Sequence, residues 1–131
     1  MYMLDTNICI YVLRNRTSKL KHKFKVTKSI CISSVTYAEL CFGIENGESS
    51  LRKQRWKELN LFTQKLIIEP LGEGAAKDYG LIRATLKKQG NLIGNNDILI
   101  AAHARSLNMI LVTNNTDEFK RVTNLDIENW V

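Results

Sequence analysis

Tyr2-Met3-Leu4-Asp5-Thr6-Asn7, running directly into Ile8-Cys9-Ile10-Tyr11-Val12-Leu13, is the stretch that decides how the rest of this chain is read. Tyr2-Met3-Leu4 has the brevity and apolarity of a buried strand. Ile8 to Leu13 reads as a helix, too short to stand alone in water and therefore packed on a sheet. An acid between two such segments falls at the carboxyl end of the strand or in the first turn of the helix. In an open α/β sheet that edge is where ligands bind.

Outward from this start, strands and helices alternate. Thr17 or Ser18 opens a second helix, with Leu20 and Phe24 four apart on its inner side. The alternation over Lys19 to Val26 fits an exposed strand as well; the helix is preferred. Ile30-Cys31-Ile32 is a strand, and Ser33, Ser34 or Thr36 caps the following helix. Tyr37, Leu40, Cys41 and Ile44 form that helix's apolar stripe, which Gly47 is placed to end. Ser49 or Ser50 opens the next helix, with Trp56, Leu59 and Phe62 inward, and Leu66-Ile67-Ile68 is a third strand closed by Pro70. Ala75, Tyr79, Ile82 and Leu86 predict a helix ended by Gly90. Asn91 to Asn96 is a turn ending in cap candidates, and Asp97 lies in the first turn of an alanine-rich helix running to Leu107. Met109 to Val112 is the fourth strand, Thr116 to Phe119 a short turn or helix, and Leu125-Asp126-Ile127 a last strand. This alternation predicts an α/β fold with a mostly parallel sheet. No linker or repeat interrupts it, so one domain over residues 1–131 is expected.

The 131 residues are 44% hydrophobic and 24% charged with one proline, the composition of a folded globule and not of a disordered or fibrous chain. No apolar run is long enough to span a membrane, and the start lacks the basic region of a secretory signal. Cys9, Cys31 and Cys41 stand far apart in apolar surroundings, which suits buried free thiols in a reducing, cytoplasmic setting. The charge is uneven. Arg14, Arg16, Lys19, Lys21, Lys23, Lys25 and Lys28 follow one another with no acid between them, so this band holds +7 of a net +6 and the rest of the chain is −1. Such a band suits a polyanion such as nucleic acid; an acidic protein partner or a merely solvated face would look the same. His22 within it is expected on the surface, Trp56 as a core or interface anchor, and His103 as a surface or satisfied buried histidine.

The acids carry the chemistry. Asp5 and Asp97, taken singly, would cap helix N-termini. That role does not extend to Glu39, which lies inside a helix off its apolar stripe, nor to Asp117 and Glu118 after the most buried strand. If the first and fourth strands are parallel neighbours, Asp5 and the Asn115–Glu118 segment emerge side by side. Carboxylates gathered there repel and take up protons, unless a hard cation such as Mg²⁺ or Mn²⁺ compensates them. Zinc is disfavoured, because no cysteine or histidine is spaced with the acids. Such an ion can activate water against a phosphodiester, with Thr6 and Asn7 donating to the ligating carboxylates. A non-catalytic RNA-binding module and a magnesium-dependent phosphatase are the rival readings. The phosphatase is weakened because Asn7 stands where an Asp-x-Asp nucleophile motif needs its second acid.

Taken in order along the chain, these residues closely resemble the motifs of the PIN-domain ribonucleases of the VapC toxin family. The resemblance rests on Met3-Leu4-Asp5-Thr6-Asn7, on Ser33-Ser34-Val35-Thr36-Tyr37-Ala38-Glu39-Leu40, and on Ile93-Gly94-Asn95-Asn96-Asp97 with Ile100-Ala101-Ala102-His103-Ala104. Val112-Thr113-Asn114-Asn115 with Glu118-Phe119, and the closing Glu128-Asn129-Trp130, complete it. It implies a PIN-like three-layer fold with a four- to five-stranded sheet between helices. It also implies Mg²⁺- or Mn²⁺-dependent endonuclease action on RNA, leaving 5′-phosphate and 3′-hydroxyl ends, with initiator tRNA cut in its anticodon stem-loop as the implied substrate. A cognate VapB-like antitoxin would inhibit the enzyme and carry the complex to operator DNA, and a homodimer is expected. By this resemblance Asp5, Glu39 and Asp97 hold the metal. Glu118 is favoured as the fourth acid, with Asn115 supporting it and Asp117 as the alternate. The amides Asn114 and Asn115, where many relatives carry aspartate, suggest one tightly held ion and a second recruited by RNA.

Overall fold

The computed structural model describes residues 1–131. Five short strands, β1 (Tyr2–Leu4), β2 (Ile30–Ser33), β3 (Ile67–Glu69), β4 (Ile110–Val112) and β5 (Ile127–Glu128), form one sheet in the order β3-β2-β1-β4-β5. Every neighbouring pair is parallel. The register aligns Met3 with Cys31 and Leu111, and Leu4 with Ile32 and Val112. Side chains alternate across a strand, so these two rows face opposite ways and each seeds its own core. The first row packs with Ile82, Leu86 and the Ile98–Ala104 face. The second packs with Ile8, Leu20, Leu40, Leu59, Phe62 and Trp130. The result is three layers, the parallel sheet covered on both faces, as predicted from the sequence.

The helices follow local signals. In α1 (Thr6–Leu13) Asp5 is the N-cap, its Oδ1 accepting the Ile8 N–H at 2.9 Å. Thr17 caps α2 (Ser18–Val26) by accepting the Leu20 N–H at 3.0 Å, so the Lys19–Val26 alternation is helical, with Leu20 buried. Ser33 caps α3 (Ser34–Glu45), which ends at Asn46, one residue before Gly47. A single 3₁₀ turn at Ser49–Leu51 leads into α4 (Arg52–Thr63). Long α5 (Glu73–Lys88) ends before Gly90, whose φ of +65° is the left-handed conformation glycine adopts without strain. It packs on α6 (Asn95–Ser106), and Arg105 of α6 grips Asp78 of α5 through Nε–Oδ2 at 2.8 Å and Nη2–Oδ1 at 2.5 Å. Short α7 (Thr116–Phe119) follows β4.

Three details depart from the sequence reading. The third strand is shifted one residue and stands at the sheet edge, leaving Ile67 and Ile68 exposed. The last strand is Ile127–Glu128, because pairing with Leu111 and Val112 fixes it there. Asn95 and Asn96 do not cap α6; Gly94 occupies the N-cap with no side-chain bond. No helix is long and apolar enough to cross a membrane.

Candidate active site

Strand order reverses between β1 and β4, since connections from β1 lead outward on one side and β4 continues on the other. A crevice opens at the carboxyl ends of strands flanking such a reversal. Asp5 follows β1 directly and Thr113 follows β4, and both are buried. Asp5 is 4% exposed; its carboxylate accepts the Ile8 N–H at 2.9 Å, and the nearby Thr113 hydroxyl favours its charged form. Thr113 Oγ1 in turn accepts the Asn115 N–H at 2.9 Å, which leaves its hydroxyl proton for Asp5. Burial pushes the Asp5 pKa above the ordinary range, the Thr113 and Ile8 hydrogen bonds oppose this, and the charge of Glu39 adds to it.

Glu39 comes from the first half of α3 and is held in place from two sides. Thr6 Oγ1 lies 2.6 Å from its Oε1, and Asn96 Nδ2 lies 3.3 Å from its Oε2. Thr6 Oγ1 is also 3.3 Å from Thr36 Oγ1. Asp97 sits in the first turn of α6 and makes no cap, so the ordinary role open to it in sequence is not the one it plays. Its pKa is pushed up to about 6, first by burial and then by the charges of Asp5, Glu39 and Glu118. Asp5 at the cap of α1, Glu39 of α3 and Glu118 of α7 thus act on Asp97 of α6 across the crevice, and Glu39 acts on Asp5.

The remaining predicted residues separate. Asp117 is exposed and is not among the charges acting on Asp97, whereas Glu118, half-buried beside it in sequence, is. Asn115 is the N-cap of α7, with no side-chain capping bond, and reaches the site through its backbone link to Thr113. Asn7 is exposed on the rim of the groove that also contains Thr6, Glu39 and Asn96. Thr113, Thr36 and Asn96 also lie at the site; in the sequence they stand within the quoted motifs, Thr36 and Asn96 as cap candidates, and none is singled out there as a site residue. For Thr113 the available signal was a hydroxyl set directly after the most apolar strand, where burial demands a partner.

The donor set is all oxygen and includes an uncapped Asp97 carboxylate, chemistry that fits a hard divalent ion. No three of the acids, cysteines or histidines converge into a ready-made ligand cage; Glu39 is turned to Thr6 and Asn96 instead. The seven cations of the basic band all lie exposed, on the connection between α1 and α2, on α2 and on the turn after it. Two of them are partly committed, Arg16 stacking 5.5 Å above Tyr11 and Lys23 5.7 Å from the Trp130 ring.

A parallel sheet with acids gathered at its point of reversal defines a class, and comparison with known proteins gives that class its name. A PIN domain family model matches residues 2–125. Ribonuclease VapC2 of Haemophilus influenzae is 46% identical over 99% of this chain and 98% of its own length. The tRNA(fMet)-specific endonuclease VapC of Shigella flexneri is 40% identical over 98% of this chain and 97% of its own. Among solved structures, DNA-bound VapBC from Salmonella typhimurium superposes with a TM-score of 0.93 at 35% identity, covering 99% of this chain and 98% of that one. The chain belongs to the PIN-domain family, within its VapC-type ribonuclease toxins.

Proposed function

We propose that residues 1–131 form one PIN domain acting as a metal-dependent endoribonuclease toxin, hydrolysing RNA phosphodiesters to 5′-phosphate and 3′-hydroxyl ends. The observation carrying this reading is Asp97, a carboxylate that caps nothing and is lifted to about pH 6 by burial and by three other acids. Evenly solvated surface acids do not do this. Asp5, Glu39, Asp97 and Glu118 are the residues that would hold Mg²⁺, or Mn²⁺ in its place. When bound, such an ion supplies a water of lowered pKa and neutralises charge on the phosphate.

The chain's own part is positional. Ile8 N–H and the Thr113 hydroxyl fix one side of Asp5 and leave the carboxylate in the crevice. Thr6 and Asn96 orient Glu39. Glu118, on the loop side of β4, closes the ring of charge around Asp97. The basic band on α2 gives the RNA backbone its grip. The Shigella flexneri relative is named for cleavage of tRNA(fMet), and initiator tRNA is the substrate we assign by that likeness. The VapBC likeness supports a cognate VapB-like antitoxin as inhibitor, with operator DNA reached through the antitoxin. A homodimer is part of the same reading.

The test incubates antitoxin-free protein with total cellular RNA and Mg²⁺ or Mn²⁺ and maps the new 5′ ends. Asp5→Asn and Asp97→Asn are each expected to lower cleavage at least about 100-fold while RNA binding survives. Cleavage by Asp97→Asn at the parent rate would overturn the assignment. RNA binding without cleavage by the parent protein, whatever the metal, would leave the binding-module reading.

A further inference from the structure

A second polar contact joins the helices that carry Glu39 and Asp97, away from the acids themselves. His103 of α6 is 1% exposed, and its Nδ1 lies 2.8 Å from Ser33 Oγ. Ser33 is fully buried and is the N-cap of α3, its Oγ accepting the Val35 N–H at 3.1 Å. In the tautomer that carries its proton on Nε2, the ring accepts the Ser33 hydroxyl proton at Nδ1 while Ser33 Oγ accepts the Val35 N–H. No partner meets hydrogen-bond geometry at Nε2, and the Pro70 backbone and the Glu69 charge are the polar groups that act on the ring from the β3 side. A polar ring buried on these terms costs stability that an alanine, as at the neighbouring positions 101, 102 and 104, would not.

Its placement on α6 suggests what the ring is for. Asn96 and His103 are seven residues apart, two turns, and so share one face of α6. Both reach α3, Asn96 at Glu39 and His103 at the Ser33 cap. Val35 already packs α3 against the core that α6 lines, and two polar contacts about 10 Å apart along the axis add a directional constraint on their relative rotation. We infer that His103 is a positioning residue that, through Ser33, locks the start of α3 against α6 and holds Glu39 in register with Asp97. This rests on the proposed function, in which Glu39 and Asp97 serve one cation.

The test uses His103→Ala, His103→Asn and His103→Gln in the full-length, antitoxin-free protein. An Asn amide reproduces the position of Nδ1, whereas a Gln amide reaches that of Nε2. Mn²⁺ affinity without RNA is read by electron paramagnetic resonance, and backbone exchange over Val35–Ala38 is read by hydrogen exchange in the metal-free protein. Ala and Gln are expected to weaken Mn²⁺ binding about tenfold and to speed exchange in the first turn of α3, with Asn restoring both. Should the Ala variant fail to fold, Gln, close to imidazole in volume, carries the comparison against Asn. Affinity within twofold of the parent for Gln, or an Asn variant as impaired as Gln, would overturn the inference. Asp97→Asn keeps the two readings separate. If that variant binds Mn²⁺ like the parent, the proposed function falls and this inference with it. If it fails to bind while His103→Gln binds normally, only the role of His103 falls.

Discussion

Asp5 and Asp97 both stand at helix N-termini, yet their carboxylates meet different company. Asp5 is a cap that is also buried, and donors from Ile8 and Thr113 moderate its rise in pKa. Asp97 has no such donors, and its value near 6 stands above an ordinary 3.8. The folded state therefore holds the Asp97 proton more tightly than the unfolded chain does. The stability this brings is full below about pH 4 and is lost as pH rises through 6. Asp97→Asn should accordingly gain stability relative to the metal-free parent between pH 4 and pH 7.5, read as a growing difference in Tm across that window. A difference that stays flat with pH would mean that neither burial nor the neighbouring acids raise the Asp97 pKa. Added Mg²⁺ should act the opposite way on the parent. At ten times its Kd it stabilises by about 1.4 kcal/mol at pH 7.5, and by less at pH 5, where protons compete for Asp97.

At the scale of elements, α5 and α6 share an apolar core through Ile82, Leu86 and the Ile98–Ala104 face, and one buried ion pair is added to it. Arg105 makes two bonds to Asp78 and a third, from Nη1, to the Thr123 carbonyl at 2.8 Å, and both charged partners are mostly buried. Asp78→Ala leaves the guanidinium desolvated with its main partner gone, and should cost about 2–3 kcal/mol in urea denaturation. The Lys77–Glu73 pair on the same helix is solvent-exposed at 3.5 Å. Lys77→Ala should change stability by no more than about 0.5 kcal/mol. Equal effects from the two substitutions would show that burial does not distinguish these pairs. Because α6 bears both Asp97 and His103, Asp78→Ala is also expected to loosen the acid crevice, visible as a raised Mg²⁺ requirement for cleavage.

Over the whole molecule, charge is divided between an acidic crevice and an exposed cationic segment on the second helix. In the proposed function, attraction of RNA to the band and its compensation at the crevice would be separable by salt. If Lys19, Lys21 and Lys25 bind phosphates, replacing all three with Ala should weaken RNA binding uniformly across sequences. It should also flatten the slope of log affinity against log salt by about 1 for each phosphate no longer neutralised. Arg16 and Lys23, held against Tyr11 and Trp130, should matter less for that slope and more for stability. An unchanged slope in the triple variant would assign the band to a protein partner or to solvation.

The elements were legible in the sequence where backbone sterics and solvent partition act over a few residues. The apolar run of β4, the spacing of Ala75, Tyr79, Ile82 and Leu86, the Thr17 and Ser33 caps and the Gly90 terminus all became the structures they spelled. The acids were legible as residue types at strand and helix ends, and the family motifs tied them together in order. What the sequence left open was every choice made across long separations. Strand order put β3 at the edge with Ile67 and Ile68 exposed, and pairing with β4 moved the last strand to Ile127–Glu128. Asp117 and Glu118 are adjacent in sequence, but the turn of α7 sends only Glu118's charge toward Asp97. The contacts of Thr6 with Glu39, Thr113 with Asp5 and His103 with Ser33 span 33, 108 and 70 positions. Local periodicity says which side of an element is buried; only the packed sheet, by setting which elements are neighbours, decides what each buried polar group meets.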